Sequence, residues 1–348
     1  MRGVIFLGDR KLDIINFEDP TPGPGEAVLE IKASGMCGSD LGPYRSPADA
    51  PNARALPDGG PAIRGHEPCG VVVAVGPGVP PALACVGMRV MVHHYSGCGV
   101  CPHCRSGWAQ MCVDGSTVYG SGNGHGAHAD YMKVPAFTLV PLPDELSFAT
   151  GAAISCGAGT AFGALGRMNL SGRDTIAVFG QGPVGLSATQ FGAAMGARVI
   201  AVDISDERLA LAKSFGAEIT INADSDDPVA AIRDLTHGLG AEKTLDCTGT
   251  AKARRAAVQA AGRWGVACFV GEGNDVTIDV SPDMIRKQLT ILASWTFSSG
   301  GQAECAQFVV DRGIEVEKLF TDRYALDQAE EAYTLFDQQK TGKGVFLM

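Results

Sequence analysis

The sequence predicts an α/β protein in which a strand-rich segment is joined to a doubly wound parallel sheet. Three observations carry that expectation. Residues 1 to about 155 read as short apolar runs cut by Gly and Pro, with the spacing of strands and turns. From residue 158 apolar strands alternate with helical segments, the order that builds a parallel sheet covered on both faces. Beyond residue 297 the mixed character returns. A length of 348 residues favours two domains over one.

The opening MRGVIFLGDRKLDI reads as a first strand, without the length or cleavage pattern of a secretory signal. The expected compartment is therefore the reducing cytoplasm, where structural disulfides rarely persist, and an odd count of eleven cysteines agrees. EAVLEIKASG, CGVVVAVGPGV and GMRVMVHHYSG are the next strands, and YRSPADAPNARALPDGGPAIRG reads as a surface loop. In the second region DTIAVFG is a buried strand, PVGLSATQFGAAMGA a small-residue helix and RVIAVDIS a second strand. DERLALAKSFGA follows as a helix with acids in its first turn and Gly216 at its end. AEKTLDCTGT and GVACFVGEG continue the alternation, and LDQAEEAYTLFDQQ and GKGVFLM supply a final helix and strand.

Composition excludes several function classes. Hydrophobic residues at 45% and charged residues at 19% suffice for packed cores. A net charge of -10 argues against a nucleic-acid binder, whose partner calls for a basic face. The apolar runs are too short and too interrupted to span a membrane.

VFGQGPVGLSA contains a G-x-G-x-x-G made by Gly180, Gly182 and Gly185. It follows a predicted strand, opens a predicted helix and precedes a strand ending in Asp203, the full context of dinucleotide binding. Gly180 serves the tight turn, Gly182 the approach of backbone to pyrophosphate, and Gly185 close helix–strand packing. The helix N-terminus attracts the phosphate charge. The Asp203 carboxylate would accept from the ribose hydroxyls and repel a 2′-phosphate, which favours NAD over NADP. Arg208 lies within reach of the same ribose.

GCGVCPHCRSGWAQMCVDG places Cys98, Cys101, Cys104 and Cys112 in a C-x2-C-x2-C-x7-C pattern. Disulfides, redox chemistry and a metal all use clustered thiols. A tetrahedral structural zinc with four cysteine ligands suits the spacing. An iron–sulfur cluster would use the same ligand type, and without a second cysteine run it ranks below zinc. Three further segments are unspecific singly: GMCGSD with Cys37, Ser39 and Asp40, RGHEPCG with His66 and Glu67, and AAISCGAGT with Cys156. Together they supply two cysteines and one histidine, a set that leaves one position open on zinc, as catalytic sites require.

With these five motifs in this order, the chain resembles the zinc-dependent medium-chain alcohol dehydrogenases over nearly its whole length. The resemblance implies a GroES-like, mainly β catalytic domain over residues 1–157 and 297–348, and a Rossmann NAD-binding domain over 158–296. It implies two zinc ions per chain: a catalytic one on Cys37, His66 and Cys156, with Glu67 able to approach it, and a structural one on Cys98, Cys101, Cys104 and Cys112. Asp40 would orient His66, and Ser39 would take the substrate proton. Thr160 and Val184 would lie beside the nicotinamide, with Pro183, Arg208 and Val270 also against the cofactor.

The implied activity is hydride transfer between an alcohol and NAD, giving an aldehyde or ketone, in a homodimer or homotetramer. A zinc-free, NADPH-dependent quinone-type reductase and an NAD-binding sensor without turnover are the alternatives on the same fold. Cys156, where polyol and threonine enzymes often carry a carboxylate, tilts the substrate toward simple alcohols. Where many relatives have a relay histidine, this chain has Gly42, with Tyr44 and His94 as candidate substitutes. Trp295 and Phe297 fall where the family's chain passes the pocket. Cys69, Cys85, Cys247, Cys268 and Cys305 read as core residues. His125 and His128 could be taken for a metal pair, with a structural role favoured.

Overall fold

Alternating apolar side chains make Glu26–Gly35 a ten-residue strand, and it forms the centre of a seven-stranded sheet. The order across that sheet is Phe320–Tyr324, Lys343–Leu347, Glu26–Gly35, Glu67–Val75, Arg89–Val92 and Leu139–Pro141, with Tyr131–Pro135 also paired to the central strand. Only the first two strands run parallel to each other; the remaining pairs are antiparallel. The computed structural model describes residues 1–50, 55–338 and 342–348. It divides into two units, Met1–Gly159 with Phe297–Met348, and Thr160–Thr296.

In the mainly β unit three sequence expectations need revision. The first strand is a hairpin, Arg2–Gly8 with Lys11–Asn16, because Asp9 and Arg10 both adopt positive φ (50° and 61°) and turn the chain. GMRVMVHHYSG is not one strand: Arg89–Val92 ends where the rings of His93 and His94 turn inward, and Tyr95–Ser96 pairs separately with Thr117–Val118. The segment taken as a surface loop includes buried stretches, since Tyr44 sits in the short helix Leu41–Arg45 and Ala62, Ile63 and Arg64 are fully packed. Its residues 51–54 lie outside the described ones, as does residue 339 at the end of LDQAEEAYTLFDQQ. The helix there covers Ala329–Asp337 and packs Tyr333 and Phe336 against Phe6, Tyr44 and Phe346. Phe6 and Tyr333 meet edge to face at 4.8 Å, a contact worth about 0.5–1.5 kcal/mol beyond area burial.

The second unit carries a six-stranded, fully parallel sheet in the order Ile219–Asn222, Arg198–Asp203, Thr175–Phe179, Ala241–Asp246, Ala261–Phe269 and Thr290–Ala293. This is the doubly wound arrangement, with a switch point beside Thr175–Phe179 where ligands bind at the carboxyl ends. Three of its helices start at side-chain caps: Ser205 accepts from Arg208 N, Asp227 from Val229 N and Ala230 N, and Thr250 from Ala253 N. Among the described residues no single helix is long and apolar enough to cross a membrane.

Candidate active site and metal centres

Strand pairing assembles the first cluster. Gly35 lies opposite Glu67, so Cys37 just past one strand and His66 just before the next become neighbours. Cys156 follows the buried helix Phe148–Ile154 and completes the group. The ligand atoms of Cys37, His66, Glu67 and Cys156 all lie within 4.8 Å of one another. Cys37 Sγ and Cys156 Sγ are 4.0 Å apart, against about 3.8 Å for two thiolates on one tetrahedral zinc. His66 Nδ1 is 3.0 Å from Asp40 Oδ1, which leaves Nε2 on the side of the thiols. Ser39 Oγ stands 3.3 Å from both Cys37 Sγ and His66 Nε2.

The electrostatics favour a cation here. The hydrogen bond from Cys156 holds Cys37 well below the ordinary thiol range, and the same contact pushes Cys156 well above it. The pair therefore shares one proton, the state that a metal displaces on binding. Burial opposes charge on Asp40, yet the adjacent His66 holds its carboxyl down at about 2. Burial pushes the Glu67 carboxyl up to about 8 against the pull of Lys343. Lys343 Nζ is 2.7 Å from Glu67 Oε1 and also donates to Met36 O at 3.0 Å.

A second cluster brings together Cys98, Cys101, Cys104 and Cys112, again with ligand atoms within 4.8 Å. Pro102 starts a single helical turn, Pro102–Arg105, that folds the chain back. Gly97 must lack a side chain, since a Cβ would come within 2.5 Å of Cys104 Sγ. Backbone N–H groups already donate to sulfur: Cys101 N to Cys98 Sγ at 3.4 Å and Cys98 N to Cys112 Sγ at 3.3 Å. The N–H of Cys104, with that of Val113, lowers the Cys101 thiol to about 6. Such N–H···S bonds favour thiolates, the form that binds zinc.

The glycine motif has the shape of a phosphate cradle. Gly180 has φ +89°, and a Cβ on Gly185 would fall on the Gly180 carbonyl. Gly182 caps the helix Pro183–Ala194, and a Cβ there would meet no protein atom within 4 Å, which leaves the approach open. Pro183 and Val184 form the first turn of that helix and are half-buried. Asp203 is tied to the loop: Oδ2 accepts from Gln181 N at 2.5 Å, and Oδ1 accepts from Ile204 N and Ser205 N. Arg208 is half-buried in the helix Asp206–Ser214, with its backbone N–H given to Ser205. Val270 follows Ala261–Phe269 and donates its N–H to Asp246 O. Thr160 is buried in the helix Gly157–Arg167.

Several other expectations resolve. His125 and His128 do not form a metal pair: His125 Nδ1 faces Ile63 N, and both His128 nitrogens face protein hydroxyls. Tyr44 is buried among Phe6 and Tyr333, so it offers no exit for a proton. His94 stands beside the cluster, its ring 5.2 Å from that of His66 and its Nδ1 3.0 Å from Ser155 O. Burial and the neighbouring His66 hold His94 well below its ordinary pKa. Cys69, Cys268 and Cys305 are core residues, but Cys85 is exposed and Cys247 half-buried. Phe297 is packed rather than open, and its carbonyl accepts from His93 and Gln110. Trp295 is 46% exposed.

Sequence reading missed Lys343, Gln181 and the pair Asp246–Arg254. Arg254 Nε lies 3.3 Å from Asp246 Oδ2, and its other nitrogens donate to Gly271 O and Asn274 O, tying together the loops after two strands. A lone Lys or Arg carries no local signal for such a role.

Comparisons with known proteins identify the family. Residues 23–144 match the alcohol dehydrogenase GroES-like domain, and residues 183–312 match the zinc-binding dehydrogenase domain. An uncharacterized zinc-type alcohol dehydrogenase-like protein of Escherichia coli K12 is 39% identical over 99% of this chain and 98% of its own length. An L-threonine 3-dehydrogenase of Pyrococcus horikoshii is 33% identical, covering 97% of this chain and 95% of its own. The solved alcohol dehydrogenase from Thermus sp. ATN1 superposes with a TM-score of 0.90 at 30% identity, covering 100% of this chain and 99% of that one.

Proposed function

The chain belongs to the zinc-dependent medium-chain alcohol dehydrogenases, and we propose that it oxidises a primary, secondary or polyhydric alcohol with NAD, using one catalytic and one structural zinc. One observation carries the reading: Cys37, His66 and Cys156 converge with the Ser39 hydroxyl beside them. Two thiols and an imidazole are a zinc donor set that leaves a fourth position for substrate. The four-cysteine cluster is a closed set suited to a structural ion.

When bound, zinc supplies a Lewis acid that lowers the pKa of the alcohol, and NAD accepts the hydride. Cys37, His66 and Cys156 hold the metal in this reading, and Asp40 fixes the imidazole. Ser39 Oγ takes the proton from the substrate hydroxyl. Gly42 offers no onward group, and buried Tyr44 none either, so the proton leaves Ser39 by water or cofactor hydroxyls. Asp203 reads the ribose and excludes a 2′-phosphate, which supports NAD.

The test is metal analysis of the purified protein with absorbance at 340 nm followed as NAD meets primary, secondary and polyhydric alcohols. About two zinc per chain and NADH formation with some alcohol are expected. Cys156→Ala should abolish turnover while NAD still binds. Folded protein without zinc, or an active Cys156→Ala, would overturn the assignment.

A further inference from the structure

Behind His66 the buried polar side chains form one continuous line. Asp40 Oδ1 faces His66 Nδ1 at 3.0 Å, and Asp40 Oδ2 accepts from the Tyr333 hydroxyl at 3.3 Å. Tyr333 Oη is 2.8 Å from His128 Nε2, and His128 Nδ1 is 2.7 Å from Ser34 Oγ. Ser34, His128 and Tyr333 are all 0% exposed.

Valence sets the direction of every proton in this line. A carboxylate only accepts, so the single Tyr333 O–H points to Asp40. His128 must then donate Nε2–H to the Tyr333 oxygen, because that hydroxyl has no second proton. Burial keeps the His128 imidazole neutral, its pKa pushed down to about 4, so Nδ1 carries a lone pair and accepts from Ser34. The remaining Asp40 oxygen lies 3.0 Å from His66 Nδ1, a contact that favours the ring proton on that nitrogen. With Nδ1 at Asp40, Nε2 is the ring nitrogen that His66 turns toward Cys37 and Cys156 and offers to a metal.

We propose that Tyr333 is a positioning residue for the metal ligand His66: backed by His128 and Ser34, it anchors Asp40 so that His66 keeps the tautomer that offers Nε2 to zinc. This rests on reading Cys37, His66 and Cys156 as a zinc site. Packing alone does not call for the hydroxyl, since a phenylalanine ring would make the same edge contact with Phe6 and the same stacked contact with Phe346. His128 is held in register with the ligand by Gly65, whose φ of +91° and missing Cβ let the imidazole sit where a Cβ would be 2.3 Å away. The line therefore couples three separate parts of the chain to one nitrogen.

The experiment measures loss of zinc from the holoenzyme to a competing chelator, with the four-cysteine site as internal reference. Removing the partner of a ligating histidine weakens metal affinity about 10–100-fold. Tyr333→Phe, one step further out, is expected to weaken the catalytic site about ten-fold and leave the reference site unchanged. Ser34→Ala should act in the same direction and more weakly. The double variant should lose no more than Tyr333→Phe alone, because Ser34 acts through Tyr333. With cobalt in the catalytic site, the visible bands should shift in Tyr333→Phe.

Unchanged chelator competition in Tyr333→Phe, whatever its melting temperature, overturns the proposal, as do additive losses in the double variant. If Tyr333→Phe does not fold, Ser34→Ala decides by itself, and unaltered zinc retention there counts against the line. A parent enzyme with no zinc at Cys37, His66 and Cys156 would instead sink the functional reading, before any variant is made.

Discussion

Lys343 Nζ lies 2.6 Å from Glu67 Oε2, with the two side chains 2% and 0% exposed. Their strands flank Glu26–Gly35 on opposite sides, so the pair bridges the centre of the sheet. With burial holding the Glu67 carboxyl up at about 8, removing Lys343 leaves a neutral carboxyl without its buried donor, which costs about 1–3 kcal/mol. Lys343→Met is expected to destabilise by about that amount, and adding Glu67→Met, which removes the orphaned polar group, should restore most of the loss. Urea denaturation of both variants checks this, and a single variant as stable as the parent would contradict it.

The four-cysteine lobe should depend on its metal. Cys101→Ser removes the thiol that the backbone N–H of Cys104 lowers to about 6. The variant is expected to lose about one zinc per chain and to melt at a lower temperature. Equal zinc content and an equal melting temperature would mean that the cluster is not a metal site.

Asp203 should set cofactor choice. Its carboxylate is held in place by Gln181 N, Ile204 N and Ser205 N, so it is pre-oriented for a ribose. A hydrogen bond to a charged acceptor is worth about 1.5–3 kcal/mol, so Asp203→Ala should raise the KM for NAD about ten- to hundred-fold. The ratio of NADP to NAD efficiency should rise with it. Steady-state kinetics with both cofactors decide, and an unmoved KM for NAD would remove Asp203 from the binding site.

Acid should weaken the fold partly through His128. Burial pushes its folded pKa down to about 4, below the ordinary imidazole value of about 6.5. Between those values the unfolded chain binds the proton and the folded one does not, so stability rises with pH through that window. The contribution is fully present above about pH 6.5 and is lost as pH falls toward 4, by at most about 1.4 kcal/mol per pH unit. A His128→Gln variant should show a shallower loss of urea-unfolding free energy over that range. An identical slope would mean that the buried imidazole plays no part in the acid limb.

The parts legible in sequence were those whose signal is local. Cys98 to Cys112 and Gly180 to Gly185 each announce themselves within about 15 residues, because one loop must bring its own ligands together. Cys37, His66 and Cys156 were readable only as a set in a given order. Lys343 and Tyr333 were not, since each meets its partner across 276 and 293 residues of chain. Periodicity placed Tyr333 on a helix and Lys343 at a strand, without saying what either side chain faces. His93 and His94 broke a predicted strand for a related reason: their rings bond Phe297 O and Ser155 O, partners no strand pattern foresees.

The discontinuity of the first unit has a bearing on biosynthesis. Asp40 and Glu67 emerge from the ribosome well before Tyr333 and Lys343, with all of Thr160–Thr296 made in between. At elongation rates of ~5–20 residues per second, that interval of 276–293 residues lasts about 15–60 s. During it the nascent chain holds two carboxylates without the neighbours that later bury them, while the parallel-sheet unit is free to fold. Final assembly of the polar interior around Asp40 and Glu67 thus waits on the arrival of one helix and one strand.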